Sequence, residues 1–509
     1  MKKIFCYLIF LLLVSSCKGE KLNTNNFEAD STRLPVFANQ FYPGDSLTLT
    51  KAIKTFIENA KPAAAENPIA IIVPHAGYIF SGQIAADAYN QVKNNKYDVI
   101  VVLGTNHTTA GFTNIGIYPR GAFSTPIGSV KIDEVVSQEL LKEDPDVTVN
   151  LAVHSKEHSI EVQIPFIKYL FPGAKIVPLI VGEPDIKMCV KFGQTLAKAL
   201  KNKKALIIAS SDLSHYPSFD DAVKVDNITL KTITGLNLSA ISSEMQKEMN
   251  QNIDQLVTCA CGEAPILAAV ASSKELGANC GSIISYSNSG YSSVGSADKV
   301  VGYGAVVLGA GKSYPPADVD TLMTDPSYKL NSTDKRALLK YARKTLEQYF
   351  SSQTLPLPRN MNPKLKIKRG AFVTLKKNGE LRGCIGHMAE TTPLCSVVGA
   401  MALQAAFNDS RFSQLTQNEL SKVEFEISVL TPFMPVKNAD EIVLGRDGVV
   451  VKKGEKQAVY LPQVATETGW SKEMFLDQLC YKAGLSAGDW KSAKLFTFQA
   501  DVFSESELH

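Results

Sequence analysis

The sequence predicts an α/β first domain, a mostly parallel sheet with flanking helices, followed by an α+β second domain. Three observations lead there. The chain has 509 residues, too many for one ordinary hydrophobic core. From Leu34 to about residue 310, short apolar runs alternate with helical patterns, as strands covered on both faces require. Beyond a Pro-, Ser- and Asp-rich stretch at 311–329, the pattern changes to a helix, a hairpin signal and an alternating strand.

Each element has its own warrant. Apolar runs at 69–74, 98–103, 175–182, 204–210, 282–287 and 301–308 predict strands. Between them, apolar spacing of three and four predicts helices near 81–93, 158–170, 185–202, 220–235 and 262–276. In the second half, 333–350 carries Leu338, Leu339, Ala342 and Leu346 on one helical stripe. The segment 372–386, FVTLKKNGELRGCIG, reads as a hairpin with Asn378-Gly379 at its turn. A helix near 392–406 and a strand at 423–430 (VEFEISVL) complete the pattern.

The N-terminus reads as a leader. A basic MKK precedes an apolar stretch too short to span a membrane comfortably, and VSSC at 14–17 resembles a lipobox. The expectation is a lipoprotein: signal peptide and lipidated Cys17 at 1–17, a polar tether at 18–33, a first domain at 34–310, a linker at 311–329 and a second domain at 330–506. That places the protein in the cell envelope, membrane-anchored on a periplasmic or outer-membrane face. With 53 basic against 50 acidic residues and no basic patch interleaved with aromatics, the sequence argues against nucleic acid as a partner. The nine cysteines are irregularly spaced and contain no CxxC, which argues against a disulfide scaffold or a zinc ribbon.

The histidines concentrate where predicted strands end. His75 follows 69–74, His107 follows 98–103, and Asp212 and His215 follow 204–210. In open α/β sheets ligands bind beyond the carboxyl ends of strands, so these loops deliver imidazoles to one edge. Neutral imidazole is the commonest protein metal ligand. Two histidines plus an anionic ligand suit a redox metal. Cys261, in TCACGEAP at a predicted helix start, is the candidate third ligand, since a helix N-terminus favours the thiolate. Glu263 and Asp212 are the alternatives. In HSKEHSIEVQIPF (154–166), His158 and Glu161 share a helical face, an arrangement in which Glu161 would orient His158 as an acid–base pair. His154 reads as structural. In the second half, Arg382 and Cys384 are same-face neighbours on the hairpin strand. A nearby cation would activate that thiol. The competing reading is a buried cysteine beside an arginine paired with Glu424 or Glu426.

PHAGYIFSG, LGTNH, EHSIEVQIPF, SSDLSH and CGEAPI, in this order, resemble the MEMO family, known in bacteria as AmmeMemoRadiSam system protein B. LRGCIG, NDSRF, EFEISVLTP and FLDQLCYKAGL resemble the AMMECR domain family, protein A of that system. The first resemblance implies the fold of the class III extradiol dioxygenase catalytic subunit. It also implies an iron or copper pocket of His75, His107 and Cys261, lined by Asp212 and His215. Those dioxygenases use a carboxylate where this chain offers Cys261, and fold alone does not carry activity. The system's name implies a radical-SAM partner, from which a lipidated Cys17 would separate this protein. Three functional expectations result: a metal-dependent redox protein acting on an unidentified small molecule; a non-catalytic metal- or ligand-binding lipoprotein scaffold; and Cys384-based chemistry in the second domain.

Overall fold

The computed structural model describes residues 32–311 and 330–508. The leader, Cys17 and nearly all of the linker lie outside the described residues. An eight-stranded sheet organises the first domain. Its strands run across the sheet in the order Cys280–Asn288, Gly302–Gly309, Pro68–Val73, Ala205–Ser210, Val99–Thr105, Lys175–Val181, Ile115–Ile117 and Val147–Val149. The four central strands, Pro68–Val73 through Lys175–Val181, are mutually parallel, and antiparallel pairings flank them.

Strand alternation explains the layering. Val99, Val101 and Leu103 join one apolar core with the helices Ile186–Ala199 and Glu263–Glu275. Ile100 and Val102 point to the other core, with the helices Ser46–Glu58 and Tyr78–Val92. Side chains of this size each contribute about 1.5–3 kcal/mol on full burial, so both faces need a helical cover. The strand and helix positions agree with the sequence expectation, with one exception. The helix expected over 158–170 is broken into His158–Glu161 and Ile164–Leu170. Pro165 sits in the first turn of the second piece, where its missing N–H costs nothing.

Short elements went unrecognised by periodicity. The strands Ile115–Ile117 and Val147–Val149, at one side of the sheet, have three residues each, too few for a pattern to show. The helices Ser46–Glu58, Glu134–Glu143 and Leu238–Met249 likewise lie outside the sequence expectation.

In the second domain, the strands Glu380–His387, Ala371–Lys377, Val423–Leu430 and Ala500–Ser504 form an antiparallel sheet in that order. The helices Ser332–Ser352 and Leu394–Phe407 cover it, burying the expected Leu338, Leu339, Ala342 and Leu346. The hairpin turns at Asn378 (φ 54°) and Gly379 (φ 82°), the positive-φ pair that a tight two-residue turn demands. A smaller sheet of Met434–Val436, Lys494–Phe498, Gly448–Lys453 and Lys456–Tyr460 packs with the helix Lys472–Lys482. Among the described residues, no helix is long and apolar enough to cross a membrane.

Candidate metal centre

Three adjacent parallel strands, Pro68–Val73, Ala205–Ser210 and Val99–Thr105, release their chains at one edge of the sheet. His75, Asp212 and His107 leave from these ends. Asp212 Oδ1 accepts the backbone N–H groups of His75 (2.7 Å) and Ala76 (3.2 Å), tying two of the loops together. A fourth segment brings His158. The His75, His107 and His158 rings pack with centroids 4.6–5.2 Å apart. One ring nitrogen from each lies within 4.8 Å of the others.

The hydrogen bonds decide which nitrogens are available. Ser210 Oγ donates to the Ser159 carbonyl at 2.6 Å and accepts from Gln163 Nε2 at 2.9 Å. Its hydrogen is therefore committed, so His75 Nδ1, 3.1 Å away, must be the donor. His107 Nδ1 stands 2.9 Å from Glu157 Oε1, which as a carboxylate only accepts. His158 Nδ1 is 3.4 Å from the same oxygen. His75 and His107 thus turn their Nε2 lone pairs away from these partners. Burial, then the His107 charge, hold His75 down to about 3, and burial, then His75, do the same for His158. Both rings are neutral at physiological pH, the form that binds metals. Burial would raise the Glu157 carboxyl, but hydrogen bonds from His107 and from backbone N–H groups outweigh it and hold it at about 2.

Cys261 adjoins the cluster at His75. Its Sγ is 3.2 Å from His75 Nε2. Metal–N and metal–S bonds of about 2.1 and 2.3 Å meeting near a right angle would give a similar separation, so His75 and the thiol could share an ion, although Cys261 is not part of the three-imidazole group. The Cys261 loop is pinned by Thr105 Oγ1 donating to its carbonyl (2.9 Å) and by Gly262 N–H donating to Ser211 Oγ (2.9 Å). A Cβ on Gly262 would lie 2.8 Å from the Ser210 carbonyl oxygen, so only glycine allows this approach. The expected helix-dipole activation of Cys261 is corrected here. The helix begins at Glu263 with Gly262 as its cap, which leaves Cys261 outside the first turn. Desolvation, then the Asp212 carboxylate, push its thiol well above the ordinary value. Glu263 also lies apart from the cluster, its carboxyl raised by burial.

The Memo-like protein family model matches residues 33–307, more than half of the chain. The chain belongs to that family. A second family model, AMMECR1, matches residues 339–503. A MEMO1 family protein of Methanobrevibacter smithii is 32% identical over 289 residues, covering 54% of this chain and 99% of that protein. One from Aquifex aeolicus is 36% identical over 272 residues, covering 53% and 97%. The crystal structure of an uncharacterized protein, PH0010 from Pyrococcus horikoshii, aligns with a TM-score of 0.32 at 33% identity, covering 35% of this chain and 93% of that one.

The other residues singled out in the sequence separate within the Memo-like half. Asp212 is buried against the His75 backbone, its carboxyl raised by desolvation. His215 stands close enough to Asp212 for their charges to interact. Burial lowers its pKa, and its Nε2 is buried without a hydrogen-bond partner. The expected pairing of Glu161 with His158 is not made. Glu161 accepts from Arg33 (2.6 Å), Val36 N (3.1 Å), Phe37 N (2.7 Å) and Tyr42 OH (2.8 Å). It is the anchor of the N-terminal segment, whose Phe37 and Phe41 rings then pack on His158. The carboxylate that orients the imidazoles is Glu157, which the helical-face argument overlooked. Glu157 caps the short helix rather than lying within it, so a spacing of three or four could not find it. His154 sits apart, its Nε2 2.9 Å from the Gly116 carbonyl.

In the AMMECR1 region, Cys384 Sγ accepts from Thr374 Oγ1 at 3.2 Å, and the Cys384 N–H donates to Asp409. Arg382 binds Glu419 at 3.3 Å and the Ser413 carbonyl at 2.9 Å. Its partner is therefore Glu419, not Glu424 or Glu426. Lys376 takes Glu426, and Glu424 accepts from Ser506. All seven cysteines among the described residues are free.

Proposed function

We propose that this chain is a metal-dependent redox protein whose centre is held by His75 and His107, with His158 and Cys261 adjoining as further ligands. One observation carries the reading: imidazoles from separate loops, two of them fixed as Nδ1–H tautomers, converge through Nε2 beside a thiol. Imidazole and thiolate together suit iron or copper, and such an ion would supply one-electron chemistry. The chain's own residues supply the rest. Glu157 and Ser210 orient the rings. Asp212 holds the His75 loop. His215, its pKa lowered by burial and its buried Nε2 without a protein partner, supplies a base near Asp212 that could take up a proton from a small-molecule substrate. A metal buffer has no need of that acid–base group, which favours an enzyme over a passive scaffold. The leader and Cys17 support an envelope lipoprotein.

The test is anaerobic purification of residues 18–509, followed by metal analysis of the wild type and of His107→Ala, His158→Ala and Cys261→Ser. Loss of stoichiometric iron or copper in the variants is expected; full retention in His107→Ala would overturn the site. Dioxygen consumption with small phenolic or thiol substrates separates enzyme from scaffold. A Cys17→Ala full-length protein that still partitions with membranes would refute the lipid anchor.

A further inference from the structure

The second domain does not hang free of the first. Asp87, fully buried in the helix Tyr78–Val92, accepts from Ser285 Oγ (2.5 Å) and the Lys61 backbone N–H (2.9 Å). Its only cationic partner among the described residues is Arg359 of the second domain, which grips both carboxylate oxygens and also donates to the Asn59 carbonyl. A buried carboxylate without a cation is costly, so the first domain is built to be covered here. Apolar side chains cross the same seam in both directions. Ile79 packs into the core of the second domain, and Leu357 packs into that of the first.

The helix Ser46–Glu58 also packs on the helix Ser332–Ser352, and several crossings fall on or beside elements that leave the metal-centre loops. Ile79 is in the first turn after the His75 loop. Phe219 and Asp220 open the helix after the Asp212–His215 loop. Lys368 Nζ binds Asp220 at 2.7 Å and stands 5.7 Å over the Phe219 ring. Backbone bridging joins His215 to Val301, whose N–H donates to Ser289 Oγ. Two residues on, the Tyr291 carbonyl accepts from Ser396 Oγ at 3.3 Å. At that point a Cβ on Gly399 would collide with Ser293 Oγ, so the helix Leu394–Phe407 lies directly against the loop.

We infer that the second domain is a permanently docked clamp, bound through the Arg359–Asp87 and Gly399–Ser293 contacts, that fixes the positions of the His75 and Asp212–His215 loops. Its partner is the first domain of the same chain. The inference depends on the metal-centre reading for one readout only.

The experiment uses the full chain with a protease site placed within residues 312–329. After cleavage, the wild-type halves are expected to co-elute in size exclusion as one species. Arg359→Glu sets a carboxylate against Asp87. Gly399→Leu wedges the other contact. Either variant is expected to separate the halves, with far-UV circular dichroism confirming that both stay folded. On separation, alkylation of Cys261, followed by peptide mass mapping, is expected to quicken. Binding of Fe(II) is expected to weaken about tenfold, the scale of coupling between linked sites. Separation of the cleaved wild type would overturn the inference. So would co-elution of both cleaved variants, or separation that leaves Cys261 labelling unchanged. A wild type that binds no metal would defeat the metal-centre reading alone, because co-elution and Cys261 labelling would still decide this one.

Discussion

Replacing Glu157 by Gln keeps the shape of the side chain while removing its charge and turning one acceptor into a donor. Oε1 now accepts from His107 Nδ1 (2.9 Å) and Ser159 N (2.8 Å) and faces His158 Nδ1 at 3.4 Å, while Oε2 accepts His107 N at 2.8 Å. In the variant, the amide oxygen keeps the Oε1 position, because the alternative sets its NH2 against two donors. The NH2 then meets the His107 backbone N–H, donor against donor, at a cost of roughly 1–3 kcal/mol. Loss of a carboxylate that orients imidazole ligands typically lowers metal affinity by about 10–100-fold, or roughly 1.4–2.8 kcal/mol. A competition titration of Fe(II) or Cu(II) against a chromophoric chelator measures this directly. Glu161→Gln is the control. It removes the ionic partner of buried Arg33 and should cost about 3–5 kcal/mol of stability while lowering metal affinity less than Glu157→Gln does. The reasoning fails if Glu157→Gln binds metal as tightly as the wild type, or if Glu161→Gln weakens binding as much as Glu157→Gln does.

The metal-free protein should lose stability on acidification. His75, His154 and His158 have folded values near 3 against 6.5, so between those pH values the unfolded chain binds more protons and stability falls as pH falls. The slope approaches at most roughly 4 kcal/mol per pH unit for three such groups, and Glu157, held at about 2, acts in the same direction below its unfolded value. Urea unfolding between pH 7 and 4 checks this, and a flat profile would contradict the burial of neutral imidazoles. Gly262→Ala should destabilise the protein by about 1–3 kcal/mol through overpacking against Ser210 and Ser211 and should weaken metal binding by displacing Cys261; a melting curve and the same titration test both. Gly379→Ala meets no neighbouring atom but forces alanine to φ 82°. It should lower stability by about 1 kcal/mol with metal binding intact, and an unchanged melting temperature would count against the tight turn.

Periodic signals carried most of the architecture. The apolar run at 98–103 could only be a strand buried on both faces, and the stripe Leu338, Leu339, Ala342, Leu346 could only be a covered helix. Asn378-Gly379 announced its turn because few residue pairs tolerate two successive positive φ values. Of the site, His75, His107 and Asp212 could be placed from the sequence because strand ends are where this class of sheet gathers its chemistry, and chain order alone reveals a strand end; Cys261 lies instead just before a helix. Glu157, Ser210 and Gln163 were not. Their roles are set by contacts between segments about 50 residues or more apart, such as Glu157 with His107 and Gln163 with Ser210, and no local repeat encodes such a contact. The same holds for Glu161, whose helical spacing pointed to His158 while the fold turned it to Arg33. Local composition determined which residues could bind an ion and which strands would bring them. Only the tertiary packing decided which nitrogen each imidazole presents, because a tautomer is chosen by the atom on its far side.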